Sequence, residues 1–139
     1  MRTFYIYLYN EKGIMVHIIA IKHLATFMDN NPSYRECLEA WKSIVSKCNW
    51  EKPQDMVLEF GTKAVDLLGK KDNKKTTLSS NRVVFDIKGN HLRVIAKYQF
   101  HPKLKKSRLY LCWIGTHKNY DKICDKNQQY DINMFNKKE

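Results

Sequence analysis

The chain has 139 residues, 43% of them hydrophobic, and its 25 Lys and Arg against 14 Asp and Glu leave a formal net charge of +11. That length suits one domain with its own core, and so positive a charge favours partners rich in phosphate or carboxylate. No apolar run approaches the roughly 20 residues of a membrane span. Residues 4–8 are too short for a signal-peptide core and no small-residue cleavage site follows them, so the expectation is a cytoplasmic protein.

Residues 1–14 read as a detachable extension. Phe4, Ile6 and Leu8 alternate with Tyr5, Tyr7 and Tyr9, both faces are apolar or aromatic, and Met15 offers a second start of translation. Residues 16–20 are a short strand candidate, and Ile21, Leu24, Phe27 and Met28 follow at helical spacing. Pro32 breaks that pattern. Ser33 and Glu36 then have the spacing of a capping box before the clearest helix of the chain, in which Tyr34, Leu38, Trp41, Val45 and Cys48 form one stripe. Pro53 starts a third helical element, where its missing N–H costs nothing, with Met56, Val57 and Phe60 as its apolar side.

Residues 62–81 lose periodicity, and the basic run 69–75 (GKKDNKK) reads as a surface loop. Residues 82–96 (RVVFDIKGNHLRVIA) read as a β-hairpin turning at Gly89-Asn90. Val83, Phe85, Ile87, Leu92, Val94 and Ala96 supply its core face, while Arg82, Lys88, His91, Arg93 and Lys97 make the other face basic. A second turn falls around His101-Pro102 and Lys103, Lys105 and Lys106. In the strand that follows, Leu109, Leu111 and Trp113 alternate with Tyr110, Cys112 and Ile114, burying both faces. Thr116 is a good N-cap for a short helix from His117 to about Ile123. Residues 126–139 read as a polar tail that orders in a complex, which leaves 15–125 as the domain.

The fold class expected is α+β, with N-terminal helices packed on one face of a small twisted antiparallel sheet. The four cysteines, Cys37, Cys48, Cys112 and Cys124, have neither a C-x-x-C pair nor metal-ligand spacing, which predicts reduced thiols without zinc or disulfides.

A basic sheet face suits RNA. Cutting RNA without a metal or other cofactor takes a base for the 2′-hydroxyl proton, a cation for the phosphate oxygens and an acid for the departing 5′-oxygen. His117 and Tyr120 are three apart and share a helix face, and His117 falls near the helix N-terminus, where backbone N–H groups favour phosphate. Arg93 offers a forked, permanent positive charge. His17, Arg82, Lys88, His91, Lys97 and Lys118 are the further candidates for RNA contact. Other readings stay open: Arg93 can pair with Asp86 across the hairpin, and Tyr120 can pack its ring on the sheet.

Four stretches, 16–19 (VHII), 40–55 (AWKSIVSKCNWEKPQD), 82–96 and 114–123 (IGTHKNYDKI), occur in the order found in HigB family toxins of the RelE-like superfamily. The chain resembles that family over roughly residues 15–125. Its most specific features are the combined motifs F-x-I-x-G-N-x-x-R (Phe85 to Arg93) and G-T-H-x-x-Y-D (Gly115 to Asp121). The resemblance implies a RelE-like fold and an mRNA interferase, a toxin that enters the 30S A site and cleaves translated mRNA. It also implies a HigA-type helix-turn-helix antitoxin as partner. Carried over residue by residue, His117 and Tyr120 match the catalytic motif, Arg93 the hairpin arginine that holds the scissile phosphate, Asn90 the turn and His17 the N-terminal histidine. The chain departs from the pattern in its first fourteen residues, in Lys88 where the usual Gly-Gly-Asn turn has its first glycine, and in the lysine-rich 62–81 stretch. The alternatives from other classes are a non-catalytic RelE/ParE-fold toxin acting on a protein such as DNA gyrase, and a basic RNA-binding module without cleavage.

Overall fold

The computed structural model describes residues 15–71, 77–89, 91–101, 103 and 106–135. The extension 1–14, residues 72–76 of the basic run, Asn90, Pro102, Leu104, Lys105 and the last four residues lie outside the described residues.

The elements run β1 (Val16–Ile19), α1 (Ile21–Asn30), a 3-10 turn (Pro32–Tyr34), α2 (Arg35–Ser46), α3 (Gln54–Phe60), β2 (Val65–Lys71), β3 (Thr77–Ile87), β4 (Leu92–His101), β5 (Lys106–Thr116) and α4 (His117–Asp125). The fold is α+β, as expected. Its sheet has five strands in the order β1-β5-β4-β3-β2. β2 to β5 form an antiparallel meander, and β1 adds to β5 in parallel, making the sheet mixed. The 62–81 loop is a correction, because β2 and the start of β3 occupy most of it.

The helix stripes bury as their spacing requires. Leu24 and Met28 of α1, Leu38, Trp41 and Val45 of α2 and Met56 of α3 join Val83, Phe85, Val94 and Leu109 in one core. Phe85 sits at its centre, edge-on to Trp41 at 5.2 Å and to Phe60 at 5.7 Å, and stacked with Trp50 at 6.3 Å. The Ser107 hydroxyl donates to the Trp50 carbonyl at 2.6 Å, tying the α2–α3 connection to β5.

Two local expectations change. Ser33 does not cap α2. It lies inside the 3-10 turn, and no side chain caps the helix, because Pro32 sets a helical φ and starts the winding one residue earlier. In β5, Ile95 pairs with Trp113 but Ala96 with Leu111, so Cys112 is an extra, bulged residue. The bulge shifts the alternation: Leu109, Leu111 and Ile114 face the helices, while Cys112 and Trp113 face the other way.

That other face is not the open basic surface the hairpin pattern suggested. Leu68, Val84, Ile95, Cys112, Trp113 and Ile123 form a second, smaller core. It is covered by α4 and by residues 126–135, so this part of the polar tail is docked rather than awaiting a partner. The Tyr130 hydroxyl donates to the Gly69 carbonyl at 2.8 Å, and the Met134 N–H donates to the Cys112 carbonyl at 2.8 Å. Arg82, only 8% exposed, donates to the carbonyls of Gln129 (3.2 Å) and Ile132 (2.8 Å).

In the hairpin turn, Lys88 has φ 58° and Gly89 φ 53°. A lysine therefore occupies a left-handed position that glycine takes without steric cost. Its ammonium sits 5.4 Å from the Tyr34 ring centroid, a cation–π contact that partly offsets the strain. Lys88→Gly is expected to unfold at a urea midpoint no lower than wild type. Lys88→Val, β-branched in the same conformation, should lose about 1–2 kcal/mol. A Val variant as stable as the Gly variant would show that the turn adopts another backbone.

Candidate catalytic cleft

α4 begins where the sequence places it. Thr116 takes an extended conformation and its hydroxyl accepts from the Asn119 N–H at 3.2 Å. His117 is thus the first helical residue, and its backbone N–H donates to the His91 carbonyl at 3.2 Å, fastening the helix start to the β3–β4 hairpin. Gly115 serves packing just before it. A Cβ there would lie 2.5 Å from the Trp113 ring, so only glycine lets the indole cross the backbone.

Arg93 and Asp86 face each other in the β3–β4 register and pair at 2.8 Å, with 14% and 21% of their side chains exposed. The Asp86 N–H donates to the Ala64 carbonyl at 2.8 Å and draws in the turn between α3 and β2. Tyr120 reaches down from α4 so that the Arg93 guanidinium carbon lies 5.6 Å from its ring centroid, with the Trp113 ring 6.2 Å away. Together these elements enclose a cavity of about 130 Å³, lined among others by Lys63, Asp66, Val84, Asp86, Arg93 and Tyr120.

Burial pushes the Tyr120 phenol well above its usual range. A hydrogen bond with Cys124 and the Asp66 carboxylate act in the same direction, and Arg93 opposes them. The phenol therefore keeps its proton at neutral pH and is poised to donate. His117 lies one helical turn away, its Nε2 3.5 Å from Asp121 Oδ2 and its Nδ1 buried without a hydrogen-bond partner among the described residues. The cavity is thus a cation and a protonated phenol facing one space, beside the N-terminus of a helix.

The structure gathers Arg93 and Tyr120 into this cleft with His117 beside it. It does not gather the rest. Arg82 points into the second core. Lys88 reaches toward Tyr34, at the start of α2. His91 and Lys118 are exposed near the start of α4, and Lys97 is exposed farther along β4. His17 is exposed on β1 and pairs with Arg108 at the start of β5. At about 3.3 Å per residue that is roughly 25 Å from the His117 end of the strand, so β1 joins the sheet without bringing His17 to the cleft. Sequence reasoning missed Lys63 and Asp66. Val65 and Leu67 alternate with Asp66 and Leu68 between two glycines, a strand signal that the surrounding lysines obscured. The thiols are free, and burial, reinforced by Glu59 beside it, pushes the Cys48 thiol up to about 12.

The model of the HigB toxin family, described as the RelE-like toxic component of a toxin–antitoxin system, matches residues 34–123. The chain belongs to the HigB toxin family. The match spans α2 through most of α4, and so includes both walls of the cleft in this HigB-family toxin. No curated protein matches the chain closely enough to add a named relative. Among the described residues, no helix is long and apolar enough to cross a membrane, and no group of three or more His, Cys, Asp or Glu is placed to hold a metal ion.

Proposed function

We propose that this toxin is a ribosome-dependent mRNA endoribonuclease that acts in the cytoplasm and cleaves translated messages in the 30S A site by metal-independent attack of the 2′-hydroxyl. The observation that carries the reading is the convergence of Arg93 and Tyr120 on one small cavity beside His117. Arg93 binds the scissile phosphate through its fork and offsets the charge that grows on the non-bridging oxygens. Its pairing with Asp86 does not compete with that role: it holds the guanidinium in place between β3 and β4 before substrate arrives. Tyr120, protonated, donates into the site. His117 stands at the start of α4, where backbone N–H groups favour phosphate. The net charge of +11 favours docking on ribosomal RNA, with exposed Lys97 and Lys118 as RNA contacts. A HigA-type helix-turn-helix antitoxin is the partner that neutralises the toxin.

The test is induced expression followed by mapping of mRNA 5′ ends. Wild type is expected to produce new cuts inside translated messages, and His117→Ala and Tyr120→Phe to reduce them about 10²-fold or more while the proteins remain folded. Growth arrest without new cuts would move the target to a protein. Ribosome binding without arrest would leave an RNA-binding module.

A further inference from the structure

The cleft contains a carboxylate that the reading above does not use. Asp66 of β2 pairs with Val84 of β3, which pairs with Ile95 of β4. Arg93 lies two residues before Ile95 and on the same face. Two strand spacings of about 4.8 Å separate β2 from β4, so Asp66 and Arg93 stand on opposite walls, roughly 10–12 Å apart between backbones. Val84 forms the floor and Tyr120 the roof of the cavity between them. A ribose 3′-phosphate bound across that interval would have its phosphate toward the guanidinium and its sugar hydroxyl toward the carboxylate.

The other acidic groups nearby are engaged. Asp86 is in its ion pair with Arg93, and Asp121 faces His117 outside the cavity lining. Asp66 is exposed and, among the described residues, makes no hydrogen bond or ion pair. His117 is the competing base, but its Nδ1 is buried and its Nε2 is turned to Asp121.

We propose that Asp66 is a further catalytic residue of this cleft, the base that takes the proton from the 2′-hydroxyl of the nucleotide being cut. The inference rests on the endoribonuclease reading. As the Asp66 carboxylate takes that proton, the O2′–P bond forms and the P–O5′ bond breaks. The departing 5′-oxygen takes a proton from the Tyr120 phenol, which is restored from solvent. The products are a 2′,3′-cyclic phosphate and a 5′-hydroxyl, and no oxidant or further reactant is needed.

The test is single-turnover cleavage of mRNA on programmed ribosomes by the full chain, comparing wild type with Asp66→Asn and Asp66→Glu. Asp66→Asn is expected to cleave about 10²–10³-fold more slowly, with half-saturating toxin concentration unchanged or lower, since one negative charge near the RNA is gone. Asp66→Glu, which keeps the carboxylate, should restore part of the rate. An Asn variant within threefold of wild type overturns the assignment, as does one whose rate loss is matched by weaker ribosome binding or a lower urea midpoint. Wild type that makes no cuts overturns the endoribonuclease reading itself. Wild type that cuts beside an equally active Asp66→Asn overturns the role of Asp66 alone.

Discussion

Arg93→Ala is expected to abolish cleavage in practice, lowering the rate about 10²–10³-fold, the usual effect of removing one preorganised charge partner of a transition state. It should also destabilise the fold by about 1–3 kcal/mol, because the largely buried Asp86 carboxylate loses its partner at 2.8 Å. The two effects are separable. The double variant Asp86→Ala/Arg93→Ala removes the stranded charge, so its urea midpoint should recover most of the loss while cleavage stays absent. Arg93→Lys keeps the charge but loses the fork and the guanidinium contact with the Tyr120 ring, and should fall between wild type and Arg93→Ala. A double variant that regains cleavage with its stability would make Arg93 purely structural.

Phe85→Ala is expected to cost about 3–5 kcal/mol, a large part of the stability of a domain this size. Phe85 is 1% exposed and touches three aromatic rings contributed by α2, α3 and the connection between them, so backbone collapse cannot fill the space a ring leaves. Phe85→Leu keeps most of the volume and should lose roughly half as much. Urea unfolding followed by tryptophan fluorescence reads both, since Trp41 and Trp50 flank the site. A loss under 1 kcal/mol in Phe85→Ala would mean the core is centred elsewhere.

The features legible in the sequence are those set by near neighbours. The α2 stripe, the β3–β4 hairpin that brings Asp86 opposite Arg93, and the Thr116 cap that starts α4 at His117 each rest on patterns a few residues long. What was not legible depends on contacts between distant segments. Nothing local in residues 16–19 announces a parallel partner at 107–110. The bulge at Cys112 changes the phase of β5 without changing its composition. Val84 and Ile95 broke the expected basic face, yet their meaning became clear only once α4 and residues 126–135 covered them. Arg82 reads as one more surface cation until the tail supplies two carbonyls to receive it. Asp66 was hidden for a related reason: β2 is short and sits beside a run of lysines, so charge outweighed alternation.

The parallel closure of β1 on β5 also sets an order of events during the protein's own synthesis. Val16 cannot find its partner until Ser107 has been made, an interval of roughly 5–20 s at the usual pace of translation. Throughout that interval α1, α2 and α3 carry apolar faces whose sheet is incomplete, so the nascent chain is at its most aggregation-prone and its most chaperone-dependent before the last quarter emerges. The cleft is finished later still, because Tyr120 and His117 follow β5. A polypeptide released early, from a message broken between β4 and α4, contains Arg93 but neither Tyr120 nor His117.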